Sequence, residues 1–364
     1  MTKYKNLLSP YSRNLELKNK VVMAPMTRSR ATDDHIPTEI MATYYGQRSG
    51  AGLIITEGTA PSPNGVGYPR IPGIYNPEQT TAWKKVTDAV HDNGGKIFIQ
   101  LMHTGRISHP ENMPAGAQVL SSSALAAHTT KMYVDGKGEQ PLPTPKAMTQ
   151  RDIELVIEEY VEAANNAIKA GFDGVEVHAA NGYLIEQFLN PVANERDDSY
   201  GGSMENRNRL AIEIVKRVAD QIGKEKTGIR LSPNGVMNDI KGFDGQHEQY
   251  DMLAENLNEI GIAYIHLVNH ESMGAAPLPE EIRRSIRKKF NGTLILSGGY
   301  DPETAERHLQ ANFGDLVAFG RPFIANPDLI ERWKEDAQLN EPKQDLFYTP
   351  GREGYIDYPA MQSV

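Results

Sequence analysis

Eight short runs of apolar, largely β-branched residues recur along this chain, each followed by a longer stretch, and that rhythm limits the fold more than any other feature. The runs are Val21-Val22-Met23-Ala24, Leu53-Ile54-Ile55-Thr56, Lys96 to Leu101, Gly174 to His178, Gly228 to Ser232, Ala263 to Val268, Thr293 to Ser297 and Asp315 to Phe319. Nearly unbroken apolarity over four or five residues suits strands covered on both faces, as in a parallel sheet. Between them, apolar residues at i, i+3 and i+4 predict helices over Ala82–Asp92 and Ile153–Ala170, with Gly94 and Gly171 as stops. Asp301 followed by Pro302 reads as an N-cap and first helical residue. The alternation predicts an α/β fold, a (β/α)8 TIM barrel forming a single domain over residues 1–364. A doubly wound sheet is the rival, but it would show a glycine fingerprint after its first strand, and Ala24-Pro25-Met26-Thr27 carries none. Thr104–Ala147 breaks the rhythm. It is rich in Pro, Gly, Ser and Thr, and is expected to be a capping excursion after strand 3, with a small hairpin around Asp135-Gly136.

Composition narrows the function. With 38 Lys+Arg against 47 Asp+Glu the formal charge is −9, which disfavours nucleic acid as a partner. The absence of cysteine excludes disulfides, iron–sulfur clusters, thiolate zinc and a thiol nucleophile. No apolar run nears the ~20 residues that span a bilayer, and MTKYKNLLSPYSRN lacks a leader pattern. A soluble, cytoplasmic protein without a membrane partner is expected. There is no P-loop and no GxSxG elbow, and His247-Glu248 and His270-Glu271 each lack the second histidine of HExxH.

In a barrel, active groups belong at the C-terminal ends of the strands and in the loops just beyond. That places Thr27 after strand 1, Gly58 after strand 2, Gln100 to His103 at strand 3, His178 to Tyr183 after strand 4 and Arg230 in strand 5. Gly298-Gly299 and Gly320-Arg321 follow strands 7 and 8, where barrels commonly seat a phosphate on backbone N–H groups; the same glycines would also serve plain tight turns. His178 and Asn181, at i and i+3, would share one face if the chain turned helical there and could converge on one oxygen. A His–Asn pair satisfying loop backbone is the plainer account. Tyr183, a phenol protonated at neutral pH, could give a proton to a basic carbon or could simply pack. Arg230 inside an apolar strand needs either a structural partner or an anionic cofactor. His103 and Arg106 read as loop packing, and Glu195-Arg196-Asp197-Asp198 as a salt-linked loop.

Taken in order, Met23-Ala24-Pro25-Met26-Thr27-Arg28, Gly52–Thr59, Gln100–Arg106, His178–Leu184, Ser297-Gly298-Gly299-Tyr300, Phe319 to Asp328 and Gly354 to Pro359 resemble the Old Yellow Enzyme family of flavin-dependent ene-reductases. The bacterial branch reducing N-ethylmaleimide and nitrate esters is the most similar. The resemblance implies non-covalent FMN at the barrel mouth, with Pro25, Met26, Thr27, Gly58 and Gln100 against the isoalloxazine. Arg230 would lie near its N1 edge, and Gly298, Gly299, Gly320 and Arg321 would hold its phosphate. It further implies ping-pong hydride transfer from NADPH or NADH through flavin N5 to activated C=C bonds of enones, maleimides and nitroalkenes, with nitrate esters as further oxidants. His178 and Asn181 would bind the activating oxygen, Tyr183 would be the proton donor, and Tyr68 and Tyr348 would line the substrate pocket. Met102 stands where relatives commonly carry tryptophan, which implies a softer wall. Two other classes compete: a flavin-free barrel lyase or isomerase holding a substrate phosphate, and a non-catalytic flavin-binding protein. The first wants a Schiff-base lysine or strand-end carboxylate base, and the intact His178, Asn181 and Tyr183 set argues against the second.

Overall fold

A computed structural model describes residues 3–361. The ends of the 1–364 span assigned above therefore lie outside the described residues. Eight parallel strands close into a barrel: β1 (Val21–Met23), β2 (Leu53–Thr59), β3 (Ile97–Leu101), β4 (Gly174–Ala179), β5 (Thr227–Leu231), β6 (Tyr264–Val268), β7 (Thr293–Ser297) and β8 (Leu316–Phe319). Each pairs in parallel with its neighbours in sequence, and β8 closes on β1. The doubly wound alternative is thereby excluded.

The continuous apolarity of the runs follows from two cores, one on each face of the sheet. Val22, Leu53, Ile55, Phe98, Tyr264, Ile295 and Leu316 point inward. Alternate residues such as Val21, Ile54, Ile97, Ile99, Val175, Ile229, Ile265 and Leu294 pack outward against the helices. An N-terminal hairpin, Tyr11–Ser12 with Glu16–Leu17, joins the inner cluster, and Tyr11 reaches Thr293 Oγ1 at the start of β7 (2.7 Å). It plugs the end opposite the strands' C-termini.

The helices around the barrel include α1 (Glu39–Gln47), α2 (Pro77–Asp92), α3 (Gln150–Lys169), α4 (Met204–Ile222), α5 (Gln246–Ile260), α6 (Glu280–Lys289), α7 (Pro302–Gln310) and α8 (Leu329–Lys334). Two short helical segments, Leu184–Leu189 and Arg321–Ala325, follow the ends of β4 and β8. α2 and α3 begin earlier than their apolar period, because Asn76 and Thr149 cap polar first turns by accepting the N–H of Gln79 and Asp152. Asp301 caps α7 as expected.

The excursion contains the expected hairpin, Lys131–Val134 with Gly138–Pro141 around Asp135-Gly136. Its Ile107, Met113, Val119, Met132 and Leu142 build a separate apolar cluster that also takes in Met102 and Tyr183. The segment therefore covers the mouth on the β3–β4 side.

Candidate active site

The C-terminal strand ends surround a cavity of about 590 Å³. Pro25, Met26, Thr27, Gly58, Gln100, His178, Asn181, Tyr183, Arg230, Gly298, Gly299, Gly320, Arg321 and Tyr348 all line it. Tyr68 does not; it stands behind Tyr183, hydroxyl to hydroxyl at 2.9 Å.

The floor is built by strand parity. Gln100, Glu176, His178, Arg230 and His266 take the inward positions of β3 to β6, with Glu176 level with Gln100, and His178 level with Arg230 and His266. Glu176 accepts from Gln100 Nε2 (2.7 Å) and from His266 Nδ1 (2.9 Å). Burial alone would raise the Glu176 pKa, but His266, Arg230 and Gln100 together hold it below the ordinary carboxylate value. His266 is pushed down by burial despite Glu176, so the pair is a carboxylate accepting from neutral imidazole. Arg230 is buried and makes no hydrogen bond among the described residues, and its Nε has no partner. Glu176 balances its charge without occupying its donors. A guanidinium prepared in this way is suited to an anionic edge.

His178 and Asn181 do converge on the cavity, but not through a helix. Asn181 (φ +60) and Gly182 (φ +76) form a left-handed turn, and a short helix starts only at Leu184. Asn is among the few non-glycine residues that visit this conformation routinely, and here Asn181 is held in it through its backbone N–H and carbonyl. The turn is pinned from below: Asn181 N–H donates to Ser232 Oγ (2.9 Å), and Gly182 N–H donates to Glu186 Oε2 (2.5 Å). Ser232 Oγ in turn donates to Glu186 Oε1 (2.7 Å). Burial raises the Glu186 carboxyl to about 7 against these donors.

Burial, reinforced by Arg230, drives the His178 pKa well below its ordinary value, so the ring is neutral. Its Nδ1 accepts the Ala180 N–H (3.3 Å), which leaves the proton on Nε2. Burial raises the Tyr183 pKa while Tyr68 pulls it down, and burial, reinforced by Tyr183, raises that of Tyr68; either hydroxyl can donate in the bond between them. Tyr183 keeps its own proton, and Tyr68 would stabilise the oxyanion left once that proton departs.

On the opposite wall a Cβ on Gly298 (φ +127) would lie 2.2 Å from Asn269 O, and one on Gly299 (φ +75) would lie 2.5 Å from Ser272 Cβ. Both are thus required by the turn itself. Arg321 is exposed at the rim, and its side chain has no ion pair or hydrogen bond among the described residues. Met102 fills the space beside Gly58, where a Cβ would come 2.4 Å from its Sδ. His103 is buried outside this constellation, with burial taking its pKa down to about 3, and Arg106 donates to the carbonyls of Leu125, Asn238 and Asp239. Both are packing residues. Arg196 pairs with Asp198, the expected salt-linked loop.

Two features escaped the sequence. Glu176 and His266 were not singled out, although an ionisable side chain inside an apolar run is the same signal that marked Arg230. His270, noted only for lacking a zinc-site partner, lines the cavity and lies 2.8 Å from Asn181 Oδ1 through its Nε2.

The geometry can be set beside known proteins. Residues 10–340 match the NADH:flavin oxidoreductase / NADH oxidase family. The chain is 40% identical to 12-oxophytodienoate reductase 7 of Oryza sativa subsp. japonica, over 98% of this chain and 94% of the relative. It is also 40% identical to a probable flavin mononucleotide-dependent alkene reductase of Leishmania infantum, over 95% and 94%. Among solved structures, morphinone reductase superposes with a TM-score of 0.94 at 43% identity, covering 99% of this chain and 98% of the other. The chain belongs to this NADH:flavin oxidoreductase family, the Old Yellow Enzyme family that its motifs resemble, and it is an oxidoreductase enzyme. No helix among the described residues is long and apolar enough to cross a membrane.

Proposed function

We propose that this protein is an FMN-dependent NAD(P)H ene-reductase acting on activated C=C bonds of enones, maleimides and nitroalkenes, with nitrate esters as alternative oxidants. One observation carries the proposal. Two neutral donors (His178 and Asn181), a protonated phenol (Tyr183) and a buried guanidinium (Arg230) that makes no hydrogen bond among the described residues line the same cavity.

The residues fit FMN. Arg230 offers unused donors to the anionic edge of the ring, and Gln100, Thr27 and Gly58 lie beside the floor. Arg321 and the Gly298-Gly299 and Gly320 backbone offer charge and N–H groups to a phosphate. Bound FMN supplies two-electron hydride chemistry, accepting from NAD(P)H and donating to the β-carbon of the alkene. His178 Nε2–H and the Asn181 amide bind the carbonyl or nitro oxygen, and their hydrogen bonds strengthen as negative charge grows there. Tyr183 gives its proton to the α-carbon, and Tyr68 stabilises the resulting phenolate. Cofactor and substrate alternate in one cavity, which accounts for the missing Rossmann fingerprint. The single-domain assignment with 104–147 as cap, and a cytoplasmic location, belong to the same proposal.

Purified protein should be yellow and retain FMN; colourless protein that takes up none refutes the proposal. Tyr183→Phe should slow the oxidative half-reaction with an enone on the order of 10²-fold while reduction by NAD(P)H changes little. Stopped-flow measurement of both halves decides, and the reverse pattern removes Tyr183 as the acid. Replacing His178 and Asn181 together by Ala should abolish the long-wavelength band given by a bound phenol, with FMN content unchanged.

A further inference from the structure

We propose that His270, from the loop after β6, is a positioning residue: its Nε2–H donates to Asn181 Oδ1 and thereby turns the Asn181 amide N–H toward the substrate's activating oxygen. The inference rests on the ene-reductase reading and adds to it a residue on a different strand end.

A side-chain amide presents an oxygen or an NH2 group to a pocket, and only the second can bind a carbonyl or nitro oxygen. The Asn181 backbone does not make the choice, because its N–H and carbonyl are already used by Ser232 and Asn238. Among the described residues, His270 is the one hydrogen-bond partner of the amide, 2.8 Å from Oδ1, and the Asn181 Nδ2 has none.

The direction of that bond follows from where the imidazole proton sits. His270 Nδ1 is buried and has no partner among the described residues. With the proton on Nε2, Nδ1 is a bare acceptor, the more tolerable kind of orphan; with the proton on Nδ1, a buried N–H would have no acceptor. Burial, together with Arg230, lowers the His270 pKa to about 4, so the ring carries a single proton at neutral pH. His270 therefore donates, Asn181 Oδ1 accepts, and Nδ2 is left for the cavity. His178 and Asn181 then match as two donors, each fixed by the bond its other atom makes.

The test is a phenol titration of the FMN-loaded enzyme, followed by its long-wavelength band, together with steady-state kinetics on one enone. His270→Phe keeps the bulk and removes the donor, and it should weaken phenol binding about tenfold, the worth of one hydrogen bond to a charged oxygen. His270→Gln restores an N–H at similar reach and should stay within about threefold of wild type. In an Asn181→Ala background, His270→Phe should change phenol affinity less than about twofold, because the partner is gone. A merely structural role would give additive losses instead.

Wild-type enzyme that holds FMN but neither binds phenols nor reduces enones would overturn the ene-reductase reading itself. Wild-type enzyme active in both assays, with His270→Phe unchanged or additive with Asn181→Ala, would overturn the role of His270 alone. If the Phe variant does not fold, a full tenfold loss in the Gln variant overturns it equally.

Discussion

Along the seam between the first βα loop and the C-terminal segment, Arg28, Arg30 and Arg48 are buried with their guanidinium groups committed to acceptors. Arg48 donates to the carbonyls of Phe323 (2.7 Å), Tyr44 (2.8 Å) and Ile324 (2.9 Å). Arg28 and Arg30 donate to those of Gly354 and Leu346, and Arg48 also lies 3.7 Å from the Tyr44 ring centroid. On the barrel floor, Arg230 is similarly buried and makes no such bond among the described residues. Depth is comparable, but hydrogen-bond satisfaction is opposite. A saturated guanidinium holds chain segments together, whereas one left unsatisfied in a cavity wall is held ready for a ligand.

The largest expected effect lies in the seam. Arg48→Met should destabilise the protein by about 3–4 kcal/mol, since it strands several buried carbonyls. Denaturant unfolding of apo-protein measures this, and a loss under about 1 kcal/mol would end the contrast. Arg230→Met should cost apo-protein less stability than Arg48→Met, since it strands no carbonyl and Glu176 keeps Gln100 and His266 as donors, while lowering FMN affinity on the order of 10²-fold. Fluorescence titration with FMN checks it; a large loss of stability with affinity intact would reverse the assignment of the two regions.

The smallest effect concerns Glu57, the carboxylate of the seam, which accepts from the Arg28 N–H (3.2 Å) and Tyr45 OH (3.2 Å). Burial raises its pKa from the ordinary 4.5 to about 7 despite Arg28 and Tyr45. The folded chain thus holds this proton more tightly than the unfolded one. The stabilisation is complete below about 4.5 and is lost as pH climbs toward about 7. Glu57→Gln should flatten the fall in Tm across that window, by on the order of 1–3 kcal/mol in stability. Glu186, raised to a similar value in the turn beneath Asn181, would add to the same slope. A double variant still showing the full slope would place its origin elsewhere.

Much of this was legible beforehand for a local reason. A parallel barrel strand is covered on both faces, so Leu294-Ile295-Leu296 and Val175-Glu176-Val177 announce themselves as short apolar runs. Once the barrel is inferred, the strand-end rule marks His178, Arg230, Gly298 and Arg321 without any distance being known. The left-handed turn at Asn181 was not legible. Spacing of three residues suggested a helix, and the turn is chosen by Ser232, Glu186 and Asn238, which lie up to 57 positions away. Tyr68 was marked by the resemblance as a pocket residue, but its pairing with Tyr183 across 115 residues was not legible.

The order of apolar runs and stops fixed which strands exist, that they run parallel, and which residues stand at their ends, because those depend on periodicity and burial within a few residues. Closure of the sheet decided the rest. It set Glu176 against Gln100 and His266, left Arg230 without an acceptor among the described residues, and brought His270 to Asn181 across 89 residues of chain. Such choices rest on hydrogen bonds made inside a low-dielectric interior between groups far apart in sequence, and only three-dimensional proximity determines which donor meets which acceptor.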